Sequence, residues 1–162
     1  MNLQKKNKSN MVKSDFIFDK AEESTGFLLW QLTNLWQREI KKALEKYDLT
    51  HSQFVLLASI HWLTLNKQNV TQILLSHHTK IDPTTTSTVL RILQKKALIK
   101  RQEHKTDTRA KTVGLTEVGV KKIRQAIKTV ELFDKQFFSS LENQTETFNK
   151  KLTKLLENKN AT

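Results

Sequence analysis

At 162 residues, the chain is long enough for one ordinary domain, or for a small domain with an extended dimerisation element, and we do not expect two full domains. Three glycines and one proline permit long helices and disfavour an all-β architecture. The absence of cysteine excludes a disulfide framework, thiol redox sensing and cysteine-ligated zinc. No apolar run has the length of a signal peptide or a membrane span, so we expect a cytoplasmic protein without a membrane partner.

The formal net charge of +12 is unevenly distributed along the chain. Residues 91–111 carry eight lysines and arginines against two acidic residues, a net of +6, whereas residues 14–90 have a net charge of −1. Such a concentration suits contact with phosphates at one surface. A lysine-rich face that serves only solubility would give the same charge, so charge alone does not separate the two interpretations.

The N-terminal part predicts a tail and two helices. Residues 1–15 are polar, lysine-rich and aperiodic, and we expect them to be disordered. Apolar residues at three- and four-residue spacing predict a first helix from about Ala21 to Tyr47. Thr50 and Gln53 form a capping box that begins a second helix, and this helix should end near Leu65.

Two further helices follow around a short turn. The third should begin at Asn69–Thr71 and end before a turn at Lys80–Ile81. Asp82 is suited to the N-cap and Pro83 to the first turn of a fourth helix, which should run to Lys96.

The opening turns of the fourth helix are filled with hydroxyl side chains. These residues are poor helix formers in isolation, but Ser and Thr can reach phosphates, base edges and thymine methyls in a major groove. We therefore predict DNA contacts here, and a polar, exposed helix start is the alternative. The residues are Thr84, Thr85, Thr86, Ser87 and Thr88.

Residues 98–119 have the pattern of two short strands joined by a charged tip, which indicates the wing of a winged helix. An arginine on such a projecting loop, Arg109, can enter the minor groove, and Asp107 can orient its guanidinium. This pattern makes the chain a DNA-binding candidate. The wing residues that we assign to the DNA contact are Arg101, Lys105, Asp107, Arg109 and Lys111.

The C-terminal part predicts two helices that need a partner. Thr116 can cap a fifth helix whose apolar stripe extends from Val120 to Leu141, and a final helix should span about Thr145 to Glu157. The compact winged unit cannot cover so long a stripe. A homodimer would cover it, and a helical bundle within one chain is the alternative.

The residues give little indication of catalysis or of a cofactor. His77 and His78 are adjacent, and neighbouring helical side chains point about 100° apart, so we expect no metal site. No phosphate loop, nucleophile elbow or acid–base pair is present, and we expect neither an enzyme nor a bound cofactor. Aromatic residues on the first two helices could line a ligand cavity, although core packing is their more usual role. The ligand candidates are Trp30, Trp36, His61 and Trp62.

Several segments together resemble the multiple-antibiotic-resistance regulator (MarR) family over residues 25–140. They are LTHSQFVLL from Leu49, the hydroxyl-rich fourth helix, LQKKALIKR from Leu93 and DTRAKTVGLTEVG from Asp107. One departure is Ala97, where the family commonly has glycine. The resemblance implies a winged helix-turn-helix homodimer that binds palindromic double-stranded DNA, usually as a repressor released by a small-molecule effector such as an aromatic carboxylate. It places the recognition-helix contacts between Thr84 and Arg91 and the wing contacts at Asp107 and Arg109.

We therefore expect a mainly α fold with a small β-wing, a winged helix-turn-helix flanked by N- and C-terminal dimerisation helices. The expected divisions are a basic tail at 1–15, a dimerisation helix at 16–48, the DNA-binding domain at 49–115 and dimerisation helices at 116–160. Two other classes of function stay open at this point. One is a basic helical module for RNA, anionic membranes or another protein, and the other is a small metal-dependent enzyme.

Overall fold

The computed structural model describes residues 15–103 and 111–158, so most of the expected N-terminal tail lies outside the described residues. The described chain is mainly helical with one two-stranded antiparallel sheet, which confirms the expected fold class. In chain order the elements are α1 (Thr25–Glu45), α2 (His51–Leu65), α3 (Gln72–Thr79), α4 (Pro83–Lys95), β1 (Ile99–Glu103), β2 (Lys111–Leu115), α5 (Glu117–Phe137) and α6 (Thr145–Asn158). Short 3-10 turns lie at Ala21–Glu23 and Ser139–Gln144.

The chain divides into two compact units, residues 1–35 and residues 36–162. The described part of the first unit contains the 3-10 turn and the first half of α1. Phe27 and Trp30 stack there with nearly parallel rings, whose centroids are 6.3 Å apart. Many large apolar side chains of this unit are exposed, namely Phe16, Ile17, Phe18, Phe27, Leu28, Leu29, Trp30, Leu32 and Leu35.

The core of the second unit is built around α2. This helix is apolar on nearly every face, as a helix surrounded by other elements should be, and it packs against α3, α4, α5 and β2. Leu56, Leu57 and Ile60 of α2 are fully buried. Ile40 and Leu44, from the last turns of α1, belong to the same core.

Side-chain caps begin the helices where the sequence predicts them. Thr50 and Gln53 form the expected capping box, with both hydrogen bonds at 3.3 Å. The hydroxyl of Thr71 accepts a hydrogen bond from the backbone N–H of Leu74, so α3 begins at Gln72. These caps satisfy backbone donors that the first turn of a helix leaves unpaired.

The turn from α4 into β1 is a Schellman motif with alanine at its left-handed position. Ala97 has a φ of 54°, while the N–H of Leu98 donates to the Leu93 carbonyl at 3.0 Å. The N–H of Ala97 donates to the Gln94 carbonyl, also at 3.0 Å. A glycine at position 97 would adopt the same left-handed backbone conformation without strain.

The beginning of α5 lies directly against this turn. The hydroxyl of Thr116 donates to the Ala97 carbonyl at 2.7 Å, and the Thr116 N–H donates to the Leu98 carbonyl at 3.1 Å. A Cβ atom on Gly119 would overlap the Leu98 carbonyl oxygen. The glycine of the Leu-Thr-x-x-Gly segment therefore allows helix and turn to approach closely.

The two strands form a ribbon that is anchored to the core. Ile99 lies opposite Leu115, and Arg101 lies opposite Val113. The N–H of Val113 also donates to the Val70 carbonyl at 2.8 Å, which ties β2 to the segment before α3. The base of the predicted wing is thus held against the helix-turn-helix.

The predicted boundaries of two helices were wrong. The first helix begins at Thr25 because residues 21–23 form a 3-10 turn, and it ends at Glu45. The fifth ends at Phe137, so Leu141 lies in the following 3-10 turn, where Glu142 has a φ of 48°. Ser139 and Ser140 follow this helix directly, and serine in a helix interior competes with the backbone for hydrogen bonds.

Candidate nucleic-acid interface

One face of α4 is buried and the opposite face presents polar side chains. Val89, Leu90 and Leu93 lie in the core. Four of the residues predicted to contact DNA lie on the exposed face and one is half-buried between the two faces. The exposed ones are Thr84, Thr85, Thr88 and Arg91, and the half-buried one is Ser87.

Thr86 is a correction to the prediction. Its side chain is fully buried, and its hydroxyl donates to the Ile81 carbonyl at 3.3 Å. Thr86 stands three, four and seven residues before Val89, Leu90 and Leu93, so the helical repeat places it on the core face. It therefore fixes the turn between α3 and α4 and cannot reach a base.

That turn has a defined geometry. Lys80 ends α3 in the left-handed region with a φ of 60°, and the Ser76 hydroxyl donates to the Ile81 carbonyl at 2.7 Å. Ile81 thus accepts from a side chain of each helix. The angle at which α4 leaves α3 is set by these contacts within the chain.

Asp82 caps α4 and fixes its exposed beginning. Its carboxylate accepts from the backbone N–H of Thr85 at 2.8 Å. Hydrogen bonds from the side chain and backbone of Thr85 lower the pKa of Asp82, so this carboxylate remains ionised at the positive end of the helix dipole. Thr88 lies on the exposed face about one turn after Thr84 and is a candidate for base reading.

The C-terminal end of α4 is held by a lysine that the sequence pattern did not single out. Lys96 Nζ donates to the carbonyl oxygen of Asp48 at 2.6 Å, to its carboxylate at 2.9 Å and to Gln53 Oε1 at 3.3 Å. The hydrogen bond from Lys96 holds the pKa of Asp48 below its ordinary value. Lys96 therefore positions α4 against α2, and no feature of its local sequence distinguishes it from the other lysines.

The predicted wing residues are only partly within the described chain. Lys105, Asp107 and Arg109 lie outside the described residues, so their DNA contacts stay predictions. Lys111 begins β2 and lies opposite Glu103 in the backbone register. Arg101 is in β1, where its partial burial sets it apart from the exposed Lys100 beside it.

The Arg101 guanidinium is in an unusual environment for a surface arginine. Its Nε and Nη2 atoms are shielded from solvent and have no hydrogen-bond partner among the described residues. Burial, and to a lesser extent the positive charge of Arg91, lower the pKa of Arg101 from its ordinary value. Arg91 itself donates to the hydroxyl of Ser87 at 3.3 Å.

The four residues predicted to contact a small ligand lie in different environments. Trp36 packs against the core, donates to Asp134 Oδ1 at 2.8 Å and meets the His51 ring edge to face at 4.8 Å. Burial lowers the pKa of His51, and Asp134 opposes this in part. Trp62 is 62% exposed on α2, and its neighbour His61 is half-buried. In the first unit, Trp30 is 64% exposed.

The described residues contain no group of three or more histidine and acidic side chains suited to a metal ion. Both His77 and His78 are exposed at the end of α3. Within the same residues, no helix is long and apolar enough to cross a membrane.

Residues 45–136, more than half of the chain, match the ArnR1-like, winged-helix domain family. The uncharacterized HTH-type transcriptional regulator YdcH of Bacillus subtilis is 41% identical over 123 residues, which cover 76% of this chain and 84% of YdcH. The structure of S. aureus MepR in a complex with DNA has a TM-score of 0.75 at 25% identity, covering 86% of this chain and 99% of that one. An E. coli MarR variant complexed with operator DNA shares the fold, with a TM-score of 0.72 at 23% identity over 81% of this chain and 92% of MarR.

The matched family, the relatives and the shared fold are those of winged-helix regulators, and the geometry of α4 and the ribbon is that of a winged helix. The chain belongs to the MarR-type winged helix-turn-helix transcriptional regulators.

Proposed function

We propose that the protein acts as a cytoplasmic homodimer that binds palindromic operator DNA and represses transcription. Each α4 enters the major groove of one half-site, and each wing reaches the neighbouring minor groove. The observation that carries this proposal is the exposed row of Thr84, Thr88 and Arg91 on a helix whose other face is fixed in the core.

Rigid support of α4 favours base reading over non-specific attraction. Asp82 and Thr86 fix the beginning of the helix, and Lys96 fixes its end. A helix held at both ends presents its side chains at defined positions, which hydrogen bonding to base edges requires. A merely basic surface would need no such support.

Solved relatives support the same mode of action. The related structures include MepR bound to DNA and MarR bound to operator DNA. The curated relative YdcH is an HTH-type transcriptional regulator. The basic segment at residues 91–111 is consistent with DNA binding by this chain as well.

Exposed apolar surface supports the homodimer. Leu28, Leu29 and Trp30 are exposed in the first unit, and α6 has no buried residue although Leu155 and Leu156 lie on it. Large exposed apolar side chains of this kind often mark a protein interface. Two copies of the chain would remove it from water and would present two copies of α4.

The proposal also includes a change in DNA affinity when a small ligand binds. A cleft of about 480 Å³ in the second unit is lined by residues that include Lys41, His51 and Lys96. Glu45 and Asp48 line the same cleft, so its formal charges balance, and His51 also contacts Trp36. A ligand bound there would contact Lys96, which positions α4, and could thereby alter DNA affinity.

In vitro selection of bound DNA from a random library tests the DNA-binding proposal. We expect enrichment of one sequence arranged as an inverted repeat, bound with strong salt dependence. The competing interpretation is a basic module without sequence readout. Equal affinity for all duplexes, or for RNA and anionic vesicles, would support that module and contradict the regulator.

A further inference from the structure

The chain turns a corner between α1 and α2 at Tyr47 and Asp48, and we call these two residues the α1–α2 corner. Helix α1 ends at Glu45, and Asp48 has a φ of 52°, in the left-handed region. The backbone carbonyl oxygens of Tyr47 and Asp48 each accept a hydrogen bond from a lysine of another element. The corner thus meets two parts of the fold that are distant from it in sequence.

One of these lysines, Lys122, belongs to α5. Its Nζ atom donates to the carbonyl oxygen of Tyr47 at 2.9 Å. The hydroxyl of Tyr47 donates to the Gln125 carbonyl oxygen at 3.1 Å and lies 2.6 Å from the hydroxyl oxygen of Thr129. Lys122 is half-buried, whereas Lys121 beside it is exposed. Helix α5 therefore holds both the backbone and the side chain of the tyrosine.

The other lysine, Lys96, directly follows α4. An ammonium group has three donors, and Lys96 Nζ has three acceptors, two on Asp48 and one on Gln53. The side chain of Asp48 is 84% exposed, so its ion pair with Lys96 contributes little to stability. The bond to the Asp48 carbonyl oxygen, at 2.6 Å, is the firmer link between the end of α4 and the corner.

The two lysines join α5 to α4 through one corner. The same two helices also meet at the turn after α4, where the hydroxyl of Thr116 donates to the Ala97 carbonyl oxygen. A single attachment between two helices permits rotation about it, whereas a second attachment restricts that rotation. The corner supplies the second attachment, since Lys122 bonds to Tyr47 and Lys96 bonds to Asp48.

We propose that Lys122 is a positioning residue for α4, acting through the α1–α2 corner and Lys96 to fix the angle at which α4 presents its exposed face. This inference rests on the proposed function, because it concerns the reading of DNA by α4. Hydrogen bonding to base edges requires side chains held within about 0.5 Å of the productive geometry. Phosphate contacts carry no sequence information, so a released corner should reduce sequence preference much more than non-specific affinity.

The substitution Lys122→Met separates positioning from direct DNA contact. Affinity for the duplex selected from the random library should fall about tenfold relative to affinity for a mixed-sequence duplex. The slope of log K against log salt should stay the same, because a lysine that acts through the corner neutralises no phosphate. A lysine in direct contact with a phosphate would lower the slope by about 0.9.

Two further substitutions at the same position distinguish positioning from a general loss of packing. Lys122→Arg keeps a charged donor and should restore the sequence preference. Lys122→Gln is shorter and neutral without placing an apolar group at this half-buried position, and it should lose the preference as Lys122→Met does. Circular dichroism at the temperature of the titrations shows that each variant is folded.

Lys135→Met is the matched control, because Lys135 is an exposed lysine on the same helix and its loss changes the net charge equally. This variant should keep the preference of the wild type. Lys96→Met should lose it. The double variant of Lys96→Met and Lys122→Met should lose less preference than the two single variants together, because either change already releases the corner.

Tyr47 is the only tyrosine of the chain, so incorporation of 3-fluorotyrosine gives one fluorine resonance that reports on the corner without DNA. The resonance should shift in Lys96→Met and in Lys122→Met and should stay in place in Lys135→Met. Wild-type protein without preference for the selected duplex would contradict the proposed function. A preference that Lys122→Met retains, a lower salt slope in that variant, or an unshifted resonance in Lys96→Met would overturn this inference alone.

Discussion

Ala97 shows at the scale of one residue how this chain departs from its family pattern. Its φ of 54° lies in the left-handed region, where an L-residue is strained by roughly 1–2 kcal/mol. The hydrogen bonds of the Schellman motif hold it there. The missing glycine has therefore not changed the turn, and its effect should appear as lost stability.

Ala97→Gly should raise the free energy of unfolding by about 0.5–1 kcal/mol, because relief of strain exceeds the added entropy of the unfolded glycine. Urea denaturation measures the change. Ala43→Gly is a suitable control, since residue 43 lies inside α1 and glycine there should reduce stability by about 1 kcal/mol. If both substitutions destabilised the protein equally, the left-handed conformation of Ala97 would be wrong.

Thr86 and Arg101 show which single residues sequence reasoning placed wrongly or incompletely. The run of hydroxyls from Thr84 to Thr88 has the chemistry of one polar surface, although the helical repeat places its middle residue on the core face. Strand alternation likewise predicts that Arg101 shares a face with Ile99. At both positions the helix or strand periodicity, and not the polar chemistry of the side chain, decides which way the residue faces.

At the scale of elements, the beginnings of helices were easier to predict than their ends. Thr50, Asp82 and Thr116 each cap a helix as expected, because an N-cap needs a particular side chain at one position. The end of α5 at Phe137 was not readable, since its apolar pattern continues to Leu141. Lys96 was missed as a positioning residue because its partners Asp48 and Gln53 are distant in sequence.

In the proposed function α4 reads the DNA sequence, and Thr88→Ala tests this role. Loss of one hydroxyl contact should change the preference among single-base variants of the selected operator by about 1 kcal/mol or more. The salt slope should stay the same, because no charge is removed. Competitive binding titrations give both quantities.

Thr153→Ala is the matched control, an exposed helical threonine on α6. It should leave the preference unchanged. A Thr88→Ala variant that weakened all operator variants equally would show that this hydroxyl contacts phosphates and that bases are read elsewhere.

At the scale of the whole molecule, exposed apolar surface and the DNA-binding face have one common explanation. A second chain would cover the exposed apolar residues of the first unit and of α6, where they are Leu155 and Leu156. A palindromic site requires two equivalent recognition helices. The amphipathic helices were readable from the sequence, whereas the partner that covers them was not, because the apolar pattern is the same for one chain or two. Association of two chains satisfies both requirements.

In the proposed complex two chains bind one inverted repeat, and measuring the stoichiometry together with the effect of half-site spacing tests this. Sedimentation of the protein with the selected duplex should give a complex of two chains. Inserting five base pairs between the half-sites, about half a helical turn, should lower the affinity to that for non-specific DNA, because the second α4 then faces the wrong side of the duplex. One chain for each duplex, or an affinity that is unaffected by the insertion, would rule out a dimer on an inverted repeat.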